Sequence, residues 1–268
     1  MNYNEKKLSA LVRRIQDRGH LKSIKAEFEA EGTRTDELLR LLDVTRSANV
    51  PLTLKIGGCE AVKDLYEARQ FGAKYIVAPM IESAYALHKY CTTISKVFPT
   101  DELSEVNFLF NIETIQAFKS FDEILQVAQL NPVISGVVFG RTDFSGSLGN
   151  KGDVQSEAVT SAVESIATRL VDTDLDFVVG GSISIASVPE LRLFANKRLT
   201  RFETRKVVFD AYHLNDYNLA ESLLDAVHFE ILWLVNKSDY YGALHQEDSA
   251  RINELERRWN VLGRSIFT

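Results

Sequence analysis

Short apolar runs alternating with amphipathic stretches constrain this chain more than any other feature. Seven runs rich in β-branched or aromatic residues recur along it, at 23–29, 51–57, 74–80, 107–113, 134–140, 176–182 and 200–209. Between them, residues 35–48, 59–71, 82–95, 114–129, 155–170 and 187–195 carry apolar side chains at helical spacing. This alternation predicts βαβ units and a parallel sheet. Runs such as YIVAPM and FVVGG are continuously apolar, which suits strands covered on both faces. The length of 268 residues is close to the roughly 250 typical of one eight-stranded α/β barrel. The expected fold is therefore α/β, a (β/α)8 TIM-type barrel in regular or modified form. Seven runs leave one strand unaccounted for, expected near the N-terminus or from an irregular segment. An open doubly wound sheet is the rival, but no Gly-x-Gly-x-x-Gly follows the first run.

An opening helix is expected over residues 4–18, stopped at Gly19. After Asp210 the pattern changes. Residues 214–236 and 245–260 read as two helices dense in aromatic side chains, with no strand after them. One barrel domain is expected over 1–268, with 214–268 as a helical extension that caps the barrel, packs within the subunit or meets a partner subunit.

Composition narrows the partners. Hydrophobic residues make up 45% of the chain and charged residues 25%, with a formal net charge of −6. Lys and Arg are scattered, so no basic footprint for nucleic acid is present. No run approaches the roughly 18 apolar residues of a membrane span, and the N-terminus lacks the apolar core of a signal peptide. The two cysteines, Cys59 and Cys91, form no Cys-x-x-Cys motif. These features lead to the expectation of a cytoplasmic protein.

In a barrel of this kind, chemistry sits at the C-terminal ends of the strands. Polar residues expected there are Glu27, Glu29, Glu31, Lys55, Glu82, Glu113, Arg141, Asp143, Ser182 and Ser184. Glu113 ends the apolar run FLFNIE, where a carboxylate requires a counter-charge, a metal or solvent. It also precedes TIQAFKSF, and acids suit helix starts, so both roles stay open. GVVFGRTDFSGSLG is the most distinctive segment: a strand into Gly140, then Arg141, Thr142, Asp143 and a small-residue loop. Such a loop lets backbone amides approach an anion, or is simply a turn. Two carboxylates from neighbouring strand ends suit a hard cation, Mg2+ above all. Such an ion would hold a 2-oxo acid and stabilise an enolate, with Lys55 or Arg141 neutralising further charge.

Three segments carry a resemblance. APMIES (78–83), FLFNIET (108–114) and GVVFGRTDFSGSLG (136–149) are similar, in order and spacing, to consecutive motifs of the HpcH/HpaI aldolase and citrate lyase β-subunit family. That family belongs to the phosphoenolpyruvate/pyruvate-binding barrels. The resemblance covers about residues 23–150 and weakens beyond. It implies a modified (β/α)8 barrel assembled as a trimer or hexamer. It also implies a carbon–carbon lyase or aldolase acting on a 2-oxo acid through a pyruvate-type enolate. A divalent ion, Mg2+ or Mn2+, would be held by Glu113 and Asp143, with Gly140, Thr142 and Ser182 on the substrate. Cleavage of an acyl-CoA, as in the citrate lyase branch, and 2-oxo acid binding without turnover are the alternatives.

The chain departs from the family at three places. Lys55 stands where the family has Arg, and it lacks the two-point grip of a guanidinium. Gly32 stands where the aldolase branch has its acid/base His, leaving Glu29 or Glu31 for proton transfer. Gly140-Arg141-Thr142-Asp143 replaces Gly-Pro-x-Asp.

Other features point less sharply. Gly180-Gly181-Ser182 suits either anion binding through amides or close packing. Glu203 and Arg205 fall on one face of the run 200–209 and are expected as an ion pair or a solvated edge. The five histidines lack zinc-ligand spacing and read as surface or capping residues. No Gly-x-Ser-x-Gly elbow or P-loop occurs. Cys59 reads as a structural thiol more readily than a nucleophile.

Overall fold

A computed structural model describes residues 1–266, with side chains through 260; the last two residues of the expected extension lie outside it. The opening helix Tyr3–Asp17 begins with a capping box between Asn2 and Glu5. Eight strands follow: β1 Leu21–Glu27, β2 Leu52–Lys55, β3 Tyr75–Ala78, β4 Asn107–Ile112, β5 Ile134–Gly140, β6 Asp176–Gly180, β7 Arg201–Glu203 and β8 Val207–Asp210. They close into a barrel in chain order. Pairing is parallel from β1 to β7, and helices cover the outside.

The missing strand lies inside the run 200–209. That run is two strands, β7 and β8, which pair antiparallel with Phe202 opposite Phe209. β8 also pairs antiparallel with β1, so a reversed strand closes the barrel. Thr204 forms the turn: its amide donates to the Val207 carbonyl at 2.9 Å. Phe202 and Phe209 stack on the outer face with centroids 5.0 Å apart. The turn is only the polar stretch Thr204–Lys206, with no Gly or Pro to mark it, so the two strands read as one run.

Strand alternation divides the core. Outward residues such as Ile24, Leu54, Ile76, Phe108, Phe139 and Val179 join the helices in one large cluster. A small separate cluster of Tyr75, Val77, Leu109, Val138 and Val178 lies within the barrel on β3–β6. The opposite inner wall is polar. Ser23 and Thr53 share a hydrogen bond at 2.6 Å, and Lys25, Lys55 and Glu203 are buried above them. Polar side chains inside a barrel require partners, and these find one another.

At the base, His20 is fully buried where β1 begins, unlike the surface or capping role expected for it. Its Nδ1 lies 2.7 Å from Ser222 Oγ and its Nε2 3.3 Å from Asp216 Oδ2. Asp216 Oδ2 is also 2.9 Å from His213 Nδ1. Burial holds the His20 imidazole below its ordinary pKa, against the opposing pull of Asp216.

The two expected C-terminal helices are one, Leu219–Ile266. Leu223, Ala226, Phe229 and Trp233 bury its first half against the opening helix. Arg18 ties its start to Asp225 at 2.8 Å. Asn2 donates to Asn236 at 2.7 Å, and Tyr241 donates to Glu37 at 2.6 Å. Glu37 lies in the first turn of the helix that follows β1. The C-terminal helix therefore climbs from the base to the level of the mouth and continues beyond it. No Gly-Pro break separates the expected halves; Gly242 alone, at about 1 kcal/mol relative to Ala, does not stop so long a helix. Among the described residues no helix is long and apolar enough to cross a membrane.

Candidate active site

The site builds up from β4. Inward alternation places Leu109, Asn111 and Glu113 in succession along one line, ending at the mouth. Glu113 is 1% exposed. Its Oε1 accepts the Met80 amide at 2.9 Å, and its Oε2 accepts Asn111 Nδ2 at 2.6 Å. Lys55, at the end of β2, places Nζ 3.3 Å from Glu113 Oε2 and 2.8 Å from Glu29 Oε2. Glu29, Lys55 and Glu113 thus form one buried-to-half-exposed chain of charge. Burial works to neutralise the Lys55 ammonium, but Glu113 and Glu29 more than offset it and hold its pKa above the ordinary value.

Gly140 makes room for this arrangement. A Cβ there would lie 2.8 Å from Glu113 Oε2 and 2.9 Å from Glu113 Cβ. The end of β5 therefore presses directly on the Glu113 carboxylate. The next residues, expected as a loop, form a short helix, Arg141–Ser147. Buried Phe144 pins it between Phe139 and Phe118, with centroids at 4.9 and 5.9 Å. The Ser145 and Ser147 hydroxyls donate to carbonyls three residues back, at 2.9 and 2.7 Å. Asp143 sits exposed in the first turn of this helix. Among the described residues, no hydrogen bond or ion pair engages its carboxylate.

Arg141, expected to neutralise substrate charge, faces away from solvent altogether. It is 0% exposed. Its guanidinium donates to the Gly180 and Gly181 carbonyls at 3.3 and 2.7 Å and to Glu190 Oε2 at 2.6 Å. Three acceptors converge where the end of β6 meets the helix Val188–Ala195, and a planar fork of donors matches them. Glu190 also accepts from Thr160 at 2.5 Å. The paired glycines serve this packing: Gly181 has φ +93°, and a Cβ there would lie 2.6 Å from the Thr142 amide. Ser182 follows with φ +51°, exposed, its hydroxyl 3.5 Å from that of Thr142. Met80 at the end of β3 also has a positive φ, +51°. Non-glycine residues held in this region mark sites where the surroundings impose the conformation.

Glu31 is separate from Glu29. It pairs with Arg205 at 3.2 Å and with Lys206, both on the β7–β8 turn. Glu203 pairs with Lys25 at 2.6 Å, so the expected Glu203–Arg205 pair does not form. The turn after Glu203 sends the two side chains to different partners. Lys25 also lies 3.1 Å from Glu27. Its burial is more than offset by Glu203 and Glu27, which raise its pKa. A Cβ on Gly180 would come 3.1 Å from Glu203. Lys25, Asn111 and Glu190 were not singled out in the sequence, and Glu203 was expected with Arg205 rather than with Lys25. Ser23, Lys25 and Glu27, alternating with Ile24 and Ala26, carried the signal for Lys25. Gly32 has φ +54° with open space around its Cβ position, so no side chain fills the place of the family histidine.

The donor chemistry suits a divalent cation. Asn111 Oδ1 is buried and takes no hydrogen bond. It lies on the residue whose amide nitrogen holds Glu113, next to a strand end that leads within three residues to exposed Asp143. Two carboxylates and an amide oxygen are hard ligands of the kind Mg2+ and Mn2+ take, the rest coming from water or substrate. Among the described residues no cluster of three or more His, Cys, Asp or Glu suited to a metal occurs. An ion here would depend on oxygen atoms from outside the protein.

Comparison with known proteins places this barrel. No curated protein sequence matches the chain. Among solved structures, an HpcH/HpaI aldolase from Desulfitobacterium hafniense DCB-2 matches with TM-score 0.59 at 17% identity, covering 82% of this chain and 88% of that one. An HpcH/HpaI aldolase/citrate lyase family protein from Burkholderia cenocepacia J2315 matches with TM-score 0.60 at 14% identity, covering 75% and 83%. The citrate synthase SbnG matches with TM-score 0.58 at 16% identity, covering 82% and 89%. At these identities the likeness is one of fold. The family model for HpcH/HpaI aldolase/citrate lyase matches residues 35–180, which include β2 to β6 and all three motif segments. The chain belongs to the HpcH/HpaI aldolase/citrate lyase family, and that membership supports carbon–carbon lyase chemistry.

Proposed function

We propose that this protein is a divalent-metal-dependent carbon–carbon lyase that acts on a 2-oxo acid through a pyruvate-type enolate. The observation that carries the reading is Lys55, a fixed ammonium 2.8 Å from Glu29 and 3.3 Å from Glu113 at the mouth. An ammonium held charged by two carboxylates is suited to neutralise negative charge that develops on a substrate oxygen.

Glu113, Asp143 and Asn111 Oδ1 would hold Mg2+ or Mn2+. When bound, that ion supplies electrostatic stabilisation to the substrate oxygens. Glu113 stays oriented by Met80 N and Asn111 Nδ2 whether or not the ion is present. Glu29, half-exposed and in contact with Lys55, moves the proton in place of the missing histidine. Thr142 and Ser182 offer hydroxyls, and Gly140 offers close backbone approach, to the substrate carboxylate. Glu31, committed to Arg205 and Lys206, shapes the rim. Arg141 positions the β6 end from beneath rather than touching substrate. The setting is cytoplasmic, a reading supported by two free thiols at Cys59 and Cys91, and the protein works as an assembly of its own copies.

The test is release of pyruvate from 4-hydroxy-2-oxo acids, and decarboxylation of oxaloacetate, with and without Mg2+ or Mn2+. Metal-stimulated turnover that Glu113→Gln abolishes supports the reading; turnover unaffected by that change overturns it. A second reading, 2-oxo acid binding without turnover, is favoured by Gly32. Pyruvate or oxalate binding by calorimetry, with no turnover on 2-oxo acids or acyl-CoA esters, would select it. Turnover of an acyl-CoA alone would select the citrate lyase type of reaction.

A further inference from the structure

The C-terminal helix carries apolar side chains with nothing beneath them. Leu224, Val227, Ile231 and Leu234 are exposed on the face turned away from the barrel, and Ile252, Leu255 and Trp259 are exposed beyond it, Trp259 to 76%. Most helical stability in proteins comes from packing of an apolar face, and an apolar patch of this kind marks an interaction surface.

The spacing identifies the occupant. Positions 224, 227, 231 and 234 are separated by three, four and three residues, and 252, 255 and 259 by three and four. The 18 residues from 234 to 252 keep the same three–four alternation. All seven side chains therefore fall on one heptad seam, the signature of a coiled coil. Ser238, Tyr241, His245 and Asp248 occupy the seam positions between the two apolar blocks, with the Tyr241 hydroxyl held by Glu37 of its own barrel. A partner must then offer an apolar block, a polar middle and a second apolar block, which is what another copy of this helix offers.

We infer that two copies of this chain pair through their C-terminal helices as an antiparallel coiled coil whose two-fold axis crosses near Ala243. Antiparallel pairing about that point sets Val227 opposite Trp259, Ile231 opposite Leu255 and Leu234 opposite Ile252 of the second copy. The flanking positions agree. Glu230 faces Arg258 and His228 faces Glu256 of the second copy, while Gly242 and Leu244 each meet their own equivalents at the axis. Lys237 would face Arg251, a like-charged pair, but Lys237 is already drawn to Glu37 at 3.1 Å. A two-fold interface must complement itself in this way. A parallel, in-register pairing would instead set Glu230 against Val235 of the second copy and forgo both the Glu230–Arg258 and the His228–Glu256 contacts.

The test uses the full-length chain. Sedimentation equilibrium of the wild type is expected to give an even-numbered assembly. Ile252→Lys with Leu255→Lys, both at exposed positions, is expected to halve its mass and to raise the dimer dissociation constant by roughly tenfold or more, with circular dichroism and Tm of the barrel retained. Glu230→Arg is expected to weaken association, and Arg258→Glu added to it to restore the assembly. Mixing Ile231→Cys chains with Leu255→Cys chains under mild oxidation should give a disulfide-linked dimer that neither gives alone, with the wild type controlling for Cys59. A monomer, an odd-numbered assembly, or an unchanged mass in the double Lys variant would overturn the inference. Crosslinking of Ile231→Cys by itself as readily as in the mixture would overturn the antiparallel arrangement.

Discussion

Lys55 Nζ sits 3.3 Å from Glu113 Oε2, so the carboxylate proposed to hold a metal ion already holds an ammonium. The two cations compete for one oxygen while sharing one task. Lys55→Met removes the competitor and is expected to tighten Mn2+ binding several-fold in isothermal titration. Turnover should nevertheless fall by about 10²-fold, the scale of losing one preorganised charge. Weaker metal binding in this variant would show that Lys55 supports the ion rather than opposing it.

Gly140→Ala tests how finely Glu113 is placed. The new methyl would meet Glu113 Oε2 at 2.8 Å, and the carboxylate must shift. Overpacking of this kind costs about 1–3 kcal/mol, a moderate loss in a denaturant midpoint. Activity is expected to fall much further than stability, because a displacement of about 1 Å at a reacting centre is enough to cost 10²-fold. Equal losses of both would mean that Gly140 matters only for packing.

Arg141 and Glu190 separate a positioning role from substrate contact. Arg141→Met strands Glu190, and removing one member of a buried pair costs about 3–5 kcal/mol. A large fall in Tm is expected, with KM of the surviving folded enzyme little changed. Glu190→Gln keeps the shape and loses the charge, and should be milder. A variant of Arg141 with normal Tm and a raised KM would return this residue to the substrate.

His20 makes stability sensitive to acid. Its folded pKa is depressed by burial, so the unfolded chain binds the proton more readily. Stability from this group is complete above the ordinary pKa of about 6.5 and declines as pH falls below it toward the folded value. Thermal unfolding compared at pH 7.5 and 5.5 is expected to show a drop that His20→Gln reduces. A variant that loses as much Tm as the wild type over this interval would assign the drop to other groups.

Most of the barrel was legible because parallel strands buried on both faces are written as uninterrupted apolar runs. The reversed strand was not, because the turn at Thr204–Lys206 carries neither Gly nor Pro and nothing in the run marks a reversal. At the site, Glu113 was visible as a carboxylate closing an apolar run. The fate of Arg141 was invisible. A cation beside a strand end reads the same whether it turns toward the mouth or toward Glu190, some fifty residues away in the chain. Lys25 was readable from alternation along β1, but its partner Glu203 required the closure of the barrel. The separation of Glu29 from Glu31 likewise depends on where the β7–β8 turn brings Arg205 and Lys206.

Reversing β8 changes where the polypeptide leaves the barrel. Had the last strand run with the others, the chain would have emerged at the mouth, on the side of Glu113, and its final helix would have descended, ending at the floor. Instead it emerges at the floor and ascends beside the opening helix, past the level of the mouth. One inverted ribbon thus turns the final helix upward along the barrel wall instead of down it.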